Sequence, residues 1–289
     1  MLSIPIWATL YKEGLFMKHT TKIIQKWFDI LSLPEEWKHE VIKSAEEFDI
    51  EKVDNMSEPY QYLYTQEDKM QGLLYAIYKC EDFFNTSKKR NIPDDILLAS
   101  LSELKRYAVE YYKTTNHEKI GLLQIRWLGK ILRGNIYRLG RLEFEIKYAD
   151  YDWEKHNVKV GDGVLGVHIP DNGGPFNETT CQEAYDLAEV FFAKYFPEHN
   201  YKCYVCSSWL LDKNLKDFLS PSSNIVKFMD SFDIIREKEA YSGLTYLFGM
   251  GTEVDDLKNI TPKTSLQKHV IDHILKGGKL YSGYGFKMR

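Results

Sequence analysis

Cysteine is scarce in this sequence: Cys80, Cys181, Cys203 and Cys206 are the four present in 289 residues. So few, so scattered, build no disulfide framework, and a reducing cytoplasm suits them best. No apolar run approaches the roughly 20 residues needed to span a bilayer, so no membrane partner is expected. Neither sign of charge dominates, with 38 Lys and Arg against 42 Asp and Glu and a net charge of -4. That balance gives no polyanion-binding surface, and nucleic acid is not an expected partner. Internal repeats, low-complexity tracts and long linkers are missing as well. The first sixteen residues, MLSIPIWATLYKEGLF, have neither the basic segment nor the small-residue cleavage site of a secretory signal. They also show no helical or strand period. KEGLFM can be encoded by a purine-rich stretch that matches a bacterial ribosome-binding site just before the Met17 codon. Met17 is therefore the expected start, and residues 1–16 an untranslated or disordered extension. Intact mass of the protein from its own host tests this, and a species beginning at Met1 would overturn it.

What is present describes a soluble globular chain, 44% hydrophobic and 28% charged. The length allows two domains, each able to bury a core. Twenty tyrosines promise large rings in the interior or in pocket walls.

Residues 17–132 read as a helical domain. TTKIIQKWFDIL sets Ile23, Ile24, Trp27, Phe28 and Leu31 at helical spacing. Pro34 with two acids, and Pro93 with two aspartates, open further helices, where carboxylates suit the positive end of the helix dipole. Near Arg133–Asn135 the period changes from 3.6 to 2, and residues 133–289 mix strands with helices. Leu142, Phe144 and Ile146 alternate with Arg141, Glu143, Glu145 and Lys147, as a half-buried strand does. VLGVHI reads as a strand leading to a helix that ends near Tyr195. YKCYVCSSW is the next strand and LLDKNLKDFL the next helix. NIVKFMDSFDII and GLTYLFGM read as strands, and SLQKHVIDHIL as a final helix stopped by Gly277 and Gly278.

The order from residue 134 (strand, strand, helix, strand, helix, strand, strand) is similar to the core of the GNAT acyltransferase fold. YRLGRLEFE, VHIP with its following glycines, CSSWLLD and SNIVKF together resemble a bacterial group of acyltransferases with a helical N-terminal domain and a GNAT-like C-terminal domain. The resemblance covers nearly the whole chain from about residue 20. It implies an α+β protein: an all-helical N-terminal domain and a mixed α/β C-terminal domain. It also implies that acyl-CoA lies where VLGVHI and YKCYVCSSW splay apart, with its pyrophosphate on the following helix. The acceptor would be a small-molecule amine, and the helical domain would cover the crevice. No metal is expected, and the oligomeric state stays open, a homodimer included.

On this likeness Gly173, Gly174, Phe176 and Asn177 are the candidate cofactor-binding residues. A glycine turn before a helix can cradle phosphate or can simply turn the chain. Two features favour the turn. Pro175 withholds an N–H, and the Gln/Arg-x-x-Gly-x-Gly/Ala pattern of most GNAT proteins is missing. Thr180 with Glu183 forms a capping box, Asn177 is the competing cap, and either start leaves the glycines in a loop.

His168, at a strand end, has the titration range of a general base, or is a histidine bonded to a neighbour. Ser208 and Asp212 complete the catalytic candidates, although Ser207 and Ser208 face opposite sides and Asp212 equally suits a helix start. Arg138, Arg141, Glu143 and Trp209 are the substrate-binding candidates, with a cross-strand ion pair the plainer reading of the charged three. Cys203 and Cys206 form C-x-x-C in a strand, where no helix start activates either thiol. His269 and His273 lie one helical turn apart, a zinc-chelating spacing, but no third ligand accompanies them. The leading expectation is acyl transfer from acyl-CoA to an amine, and the alternative is a non-catalytic ligand-binding protein on the same scaffold.

Overall fold

The computed structural model describes residues 19–289, so the expectations for residues 1–16 lie outside the described residues. The chain divides into two compact units after Gly134.

The first unit is helical. Its described elements are α1 (19–30), α2 (Lys38–Glu47), α3 (Ile50–Asp54), α4 (Pro59–Thr65), α5 (Lys69–Lys88), α6 (Asp94–Thr114) and α7 (Ile125–Leu132). In α5 the Asp68 side chain accepts the N–H of Met70, and in α6 Asp94 and Asp95 occupy the first turn. Leu97, Leu101, Leu104 and Ala108 recur every three or four residues along α6, and each is at most 1% exposed. That stripe buries α6, which packs on α5 and α7.

The second unit is a six-stranded sheet in the order β1-β2-β3-β4-β6-β5. Its strands are β1 (Ile136–Leu139), β2 (Leu142–Tyr148), β3 (Gly163–His168), β4 (Cys203–Ser208), β5 (Asp233–Glu239) and β6 (Tyr281–Met288). Only β3 and β4 pair in parallel; the other neighbours are antiparallel. Helix α8 (Glu178–Tyr195) makes the crossover between β3 and β4. It buries one sheet face through ring contacts of Tyr137 with Phe191, Phe144 with Tyr185 and Tyr185 with Tyr204. The segment 149–158 covers part of the opposite face, where Trp153 stacks on Phe286 at 5.0 Å beside Val164, Cys203 and Val205.

Several elements differ from the sequence reading. Gly140 and Arg141 turn a hairpin between β1 and β2, with Gly140 at φ +63°. NIVKFMD is helix α9 (Asn224–Asp230), because the Ser223 hydroxyl accepts the N–H of Val226 and Val226 and Met229 bury one helical face. The strand begins only at Asp233. GLTYLFGM is not a strand: Ser242–Phe248 is helix α10, whose Leu244 and Leu247 pack against α11 (Ser265–Leu275). LLDKNLKDFL is two 3-10 turns rather than one helix. The glycine-rich end, which carried no expectation, forms β6. There a Cβ on Gly283 would meet the Leu211 carbonyl oxygen at 2.5 Å, so glycine serves a close approach within a strand.

Candidate functional site

The crevice starts where β3 and β4 stop pairing. Leu165 is opposite Tyr204 and Gly166 opposite Val205, and there the parallel ladder ends. Both strands continue for two or three residues, to His168 and Ser208. The backbone edges of Val167–His168 and Cys206–Ser207 therefore face one another without strand hydrogen bonds between them.

Residues 170–177 join β3 to α8, which starts at Glu178. Asn177 is the cap: its Oδ1 accepts the N–H of Thr180 at 3.0 Å, and its own N–H donates to the Thr180 hydroxyl at 3.3 Å. The box is thus Asn177 with Thr180, not Thr180 with Glu183, and both glycines stay in the loop. Their roles differ. Gly173 lies against Arg141, where a Cβ would stand 2.6 Å from Nη1 and 3.1 Å from Cδ. Gly174 has φ +79° with open space around it, so it is glycine for its backbone. The loop is wrapped around Arg141, whose Nη1 donates to the Pro170 carbonyl at 2.6 Å and whose guanidinium lies 5.1 Å from the Phe176 ring. Phe176 in turn packs on Phe228 at 5.2 Å. Arg138 holds the same loop through a 2.9 Å bond from Nη2 to the Asn172 Oδ1. The two arginines proposed for substrate therefore anchor the β3–α8 connection.

A charged row crosses β1, β2 and β3 and ends at the β3 lip of the crevice. Arg138 on β1 is opposite Glu143 on β2, and Glu143 is opposite His168 on β3. Arg138 therefore shares the Glu143 face. Glu143 and Glu145, expected on a solvated strand face, are buried. Glu145, which was not a candidate site residue, reaches diagonally to His168: Oε2 lies 2.9 Å from Nε2. The path crosses Gly166, where a Cβ would come within 3.2 Å of the Glu145 Cβ and 3.5 Å of Oε2. A carboxylate on one ring nitrogen fixes the orientation of an imidazole. The available signal in the sequence was a glycine two residues before His168, opposite a glutamate once the antiparallel register is known.

The remaining candidates have structural duties. The Ser208 hydroxyl accepts the Leu210 N–H at 3.1 Å and starts a 3-10 turn. Trp209 covers Gly243 and stacks on Tyr246 at 6.2 Å. Asp212 is 2% exposed, and its two oxygens accept the N–H groups of Asn214 and Tyr281 at 2.9 and 2.8 Å. Burial raises its carboxyl pKa above the ordinary value, against the pull of those two bonds. Burial likewise lifts the Cys203 thiol to about 11 and Cys206 to about 12, so neither is a thiolate near neutral pH. The His273 Nε2 lies 3.0 Å from the Lys279 carbonyl oxygen, and both helix histidines pack on Phe218. Among the described residues no group of three His, Cys, Asp or Glu side chains could hold a metal ion. No described helix is long and apolar enough to cross a membrane.

Beside the start of α8 lies a cavity of about 110 Å³. Asn177 lines it from the cap of α8, Cys181 and Tyr185 from the helix itself, Lys227 and Phe228 from α9, and Lys287 from β6. Asn177 is the only one of the four cofactor candidates on its wall.

A parallel strand pair that splays beneath a capped crossover helix, in a mixed α/β unit that follows a helical one, defines a GNAT-like fold. Residues 136–287 match the family described as GNAT-like C-terminal domain, and the chain belongs to that family. Three solved structures are similar over 90% of this chain and 86% of theirs. An acyltransferase in complex with decanoyl-CoA and teicoplanin has a TM-score of 0.72 at 22% identity. An acyltransferase with decanoyl-CoA alone has 0.72 at 21%, and an acyltransferase with CoA and 10C-teicoplanin has 0.70 at 21%. At such identity the likeness is one of fold. No curated protein matches the chain.

Proposed function

We propose that this protein transfers an acyl group from acyl-CoA to an amine. The observation that carries the reading is the parallel pair β3/β4, which opens after Gly166 and Val205 with His168 at its lip. Two facing backbone edges suit an extended ligand with amide groups, which acyl-pantetheine possesses. The orphaned, buried Tyr185 hydroxyl near the start of α8 supplies an unused donor on the same helix. Fold-related acyltransferases that hold decanoyl-CoA or CoA support the same donor class.

His168, oriented by Glu145, takes the proton as the amine nitrogen attacks the thioester carbonyl carbon. The C–N bond forms, the C–S bond breaks, and CoA leaves as the thiolate. Backbone N–H groups at the open strand edges polarise the carbonyl. Ser208, at the end of β4, shapes that side of the crevice, and a small-molecule amine is the acceptor.

One observation favours a binding protein without catalysis. The loop whose N–H groups hold pyrophosphate in most GNAT proteins is here occupied by Arg141, and Pro175 has no N–H to give. Calorimetric titration with acetyl-CoA, followed by release of free thiol in the presence of an amine panel, separates the two. Binding with thiol release supports transfer, and binding without release supports the scaffold reading. No binding at millimolar acetyl-CoA contradicts transfer and is the result expected of a scaffold that has lost the CoA loop.

A further inference from the structure

Strand β4 ends in two serines whose side chains take opposite faces of the sheet. The Ser208 hydroxyl is occupied by the Leu210 N–H. Ser207 is exposed, and its hydroxyl makes no hydrogen bond among the described residues.

The register places Ser207 in a row. Gly166 on β3 is opposite Val205 on β4, so His168 and Ser207, two residues further along each strand, share one face. Glu145 on β2 is opposite Gly166 and lies on that face too. Val164, Cys203, Val205 and Tyr284 belong to one buried cluster, which confirms the parity. Three neighbouring strands therefore present a carboxylate, an imidazole and a hydroxyl in that order: Glu145, His168 and Ser207. Glu145 Oε2 lies 2.9 Å from His168 Nε2 and orients the ring. Between His168 and Ser207 the ladder has ended, so no strand hydrogen bonds close the space a thioester would enter. On the other side of Ser207 stands Tyr284, 7% exposed and packed on Tyr151 and Phe286, a rigid wall of rings.

An acid, a base and a hydroxyl in this order are the parts of an activated nucleophile. We infer that Ser207 is a nucleophile of this crevice: when no amine is bound it takes the acyl group from acyl-CoA, and water then releases it. The inference rests on the donor class and the His168 base proposed above. Ser207 Oγ attacks the thioester carbonyl carbon, and its proton passes to His168. The C–O bond forms, the C–S bond breaks, and His168 returns the proton to the departing CoA sulfur. Water, deprotonated by His168, then attacks the ester carbon. The bond to Oγ breaks, Oγ is reprotonated and the free acid leaves. The sum is acyl-CoA and water going to carboxylic acid and CoA. An amine that reaches the ester before water yields the same amide as direct attack.

The test incubates the full-length protein with acetyl-CoA and isotope-labelled CoA in the absence of amine. A covalent acyl-enzyme exchanges the label into acetyl-CoA, whereas direct attack by water or amine does not. Exchange is expected for wild type, lost in Ser207→Ala and lowered about 10²-fold or more in His168→Ala. Acid-quenched wild type should carry one hydroxylamine-sensitive acetyl group, located at Ser207 by tandem mass spectrometry. Circular dichroism and calorimetric binding of acetyl-CoA show that the Ser207 variant is folded and loaded. If wild type binds acetyl-CoA without exchange, or exchange survives Ser207→Ala, the serine nucleophile is wrong and the donor class stands. A second probe, p-nitrophenyl acetate, needs no CoA site. If acetyl-CoA does not bind but nitrophenol is released in a Ser207- and His168-dependent way, the nucleophile stands and the donor class falls. If neither occurs, both fall.

Discussion

The glycine pair gives the sharpest test of how this loop is built. If Gly173 is glycine because Arg141 occupies the space a side chain would need, Gly173→Ala must displace the guanidinium. The added Cβ would start 2.6 Å from Nη1, far inside contact distance. Displacement loses the 2.6 Å bond to the Pro170 carbonyl and the contact with Phe176. A hydrogen bond to a charged group is worth about 1.5–3 kcal/mol, and a partly desolvated cation–π contact about 1 kcal/mol more. The expected loss is therefore about 2–4 kcal/mol for Gly173→Ala. In an Arg141→Ala background the side-chain obstacle is gone and only the 3.0 Å approach to the residue 141 carbonyl oxygen remains, so the same change should cost much less. The double-mutant cycle should then return a coupling of about 2 kcal/mol or more, read from chemical denaturation of the full-length chain. Gly174→Ala, with a positive φ but open space, should lose only about 1 kcal/mol and show no coupling to Arg141. Additivity of Gly173 and Arg141 within about 0.5 kcal/mol would refute the wrapped-loop account.

Further outcomes follow from the site. His168→Ala should lower acyl transfer about 10²- to 10⁴-fold with little change in CoA affinity, the range of a lost general base. Glu145→Gln should lower kcat more than it raises KM, because its carboxylate orients His168 without touching substrate. Asp212→Ala should destabilise by about 1–3 kcal/mol, since two buried N–H groups lose their acceptor. The Asp212 carboxyl is raised by burial, so its favourable contribution is complete at low pH and lost as pH rises through its folded pKa. Asp212→Asn should remove that slope from the pH dependence of unfolding. All four cysteines are buried, so a thiol reagent should label them at the rate of opening and not with free-thiol kinetics.

The sequence carried the architecture further than the site. The helical spacing of Ile24, Trp27 and Phe28, the change of period near Asn135 and the strand ends at His168 and Ser208 are local patterns, and local patterns are legible. What failed depends on partners distant in the chain. Leu244, Tyr246 and Phe248 look like a strand until α11 supplies a surface for Leu244 and Leu247. Gly283 and Gly285 gave no strand signal, and only the fold shows Leu211 and Phe232 crowding them. The bonds of Arg138 and Arg141 to Asn172 and Pro170 have no local signature either and appear only in the folded loop. Glu145 was invisible for the same reason: its bond to His168 is set by the β2–β3 register, which no single strand encodes.

The central claim is that the donor lies between the ends of β3 and β4. Amide hydrogen exchange with and without saturating acetyl-CoA tests it most directly. The account predicts added protection in peptides covering residues 163–168 and 203–208, and at the start of α8. Protection confined to other parts of the chain, or none at a concentration where binding is measured, would contradict it.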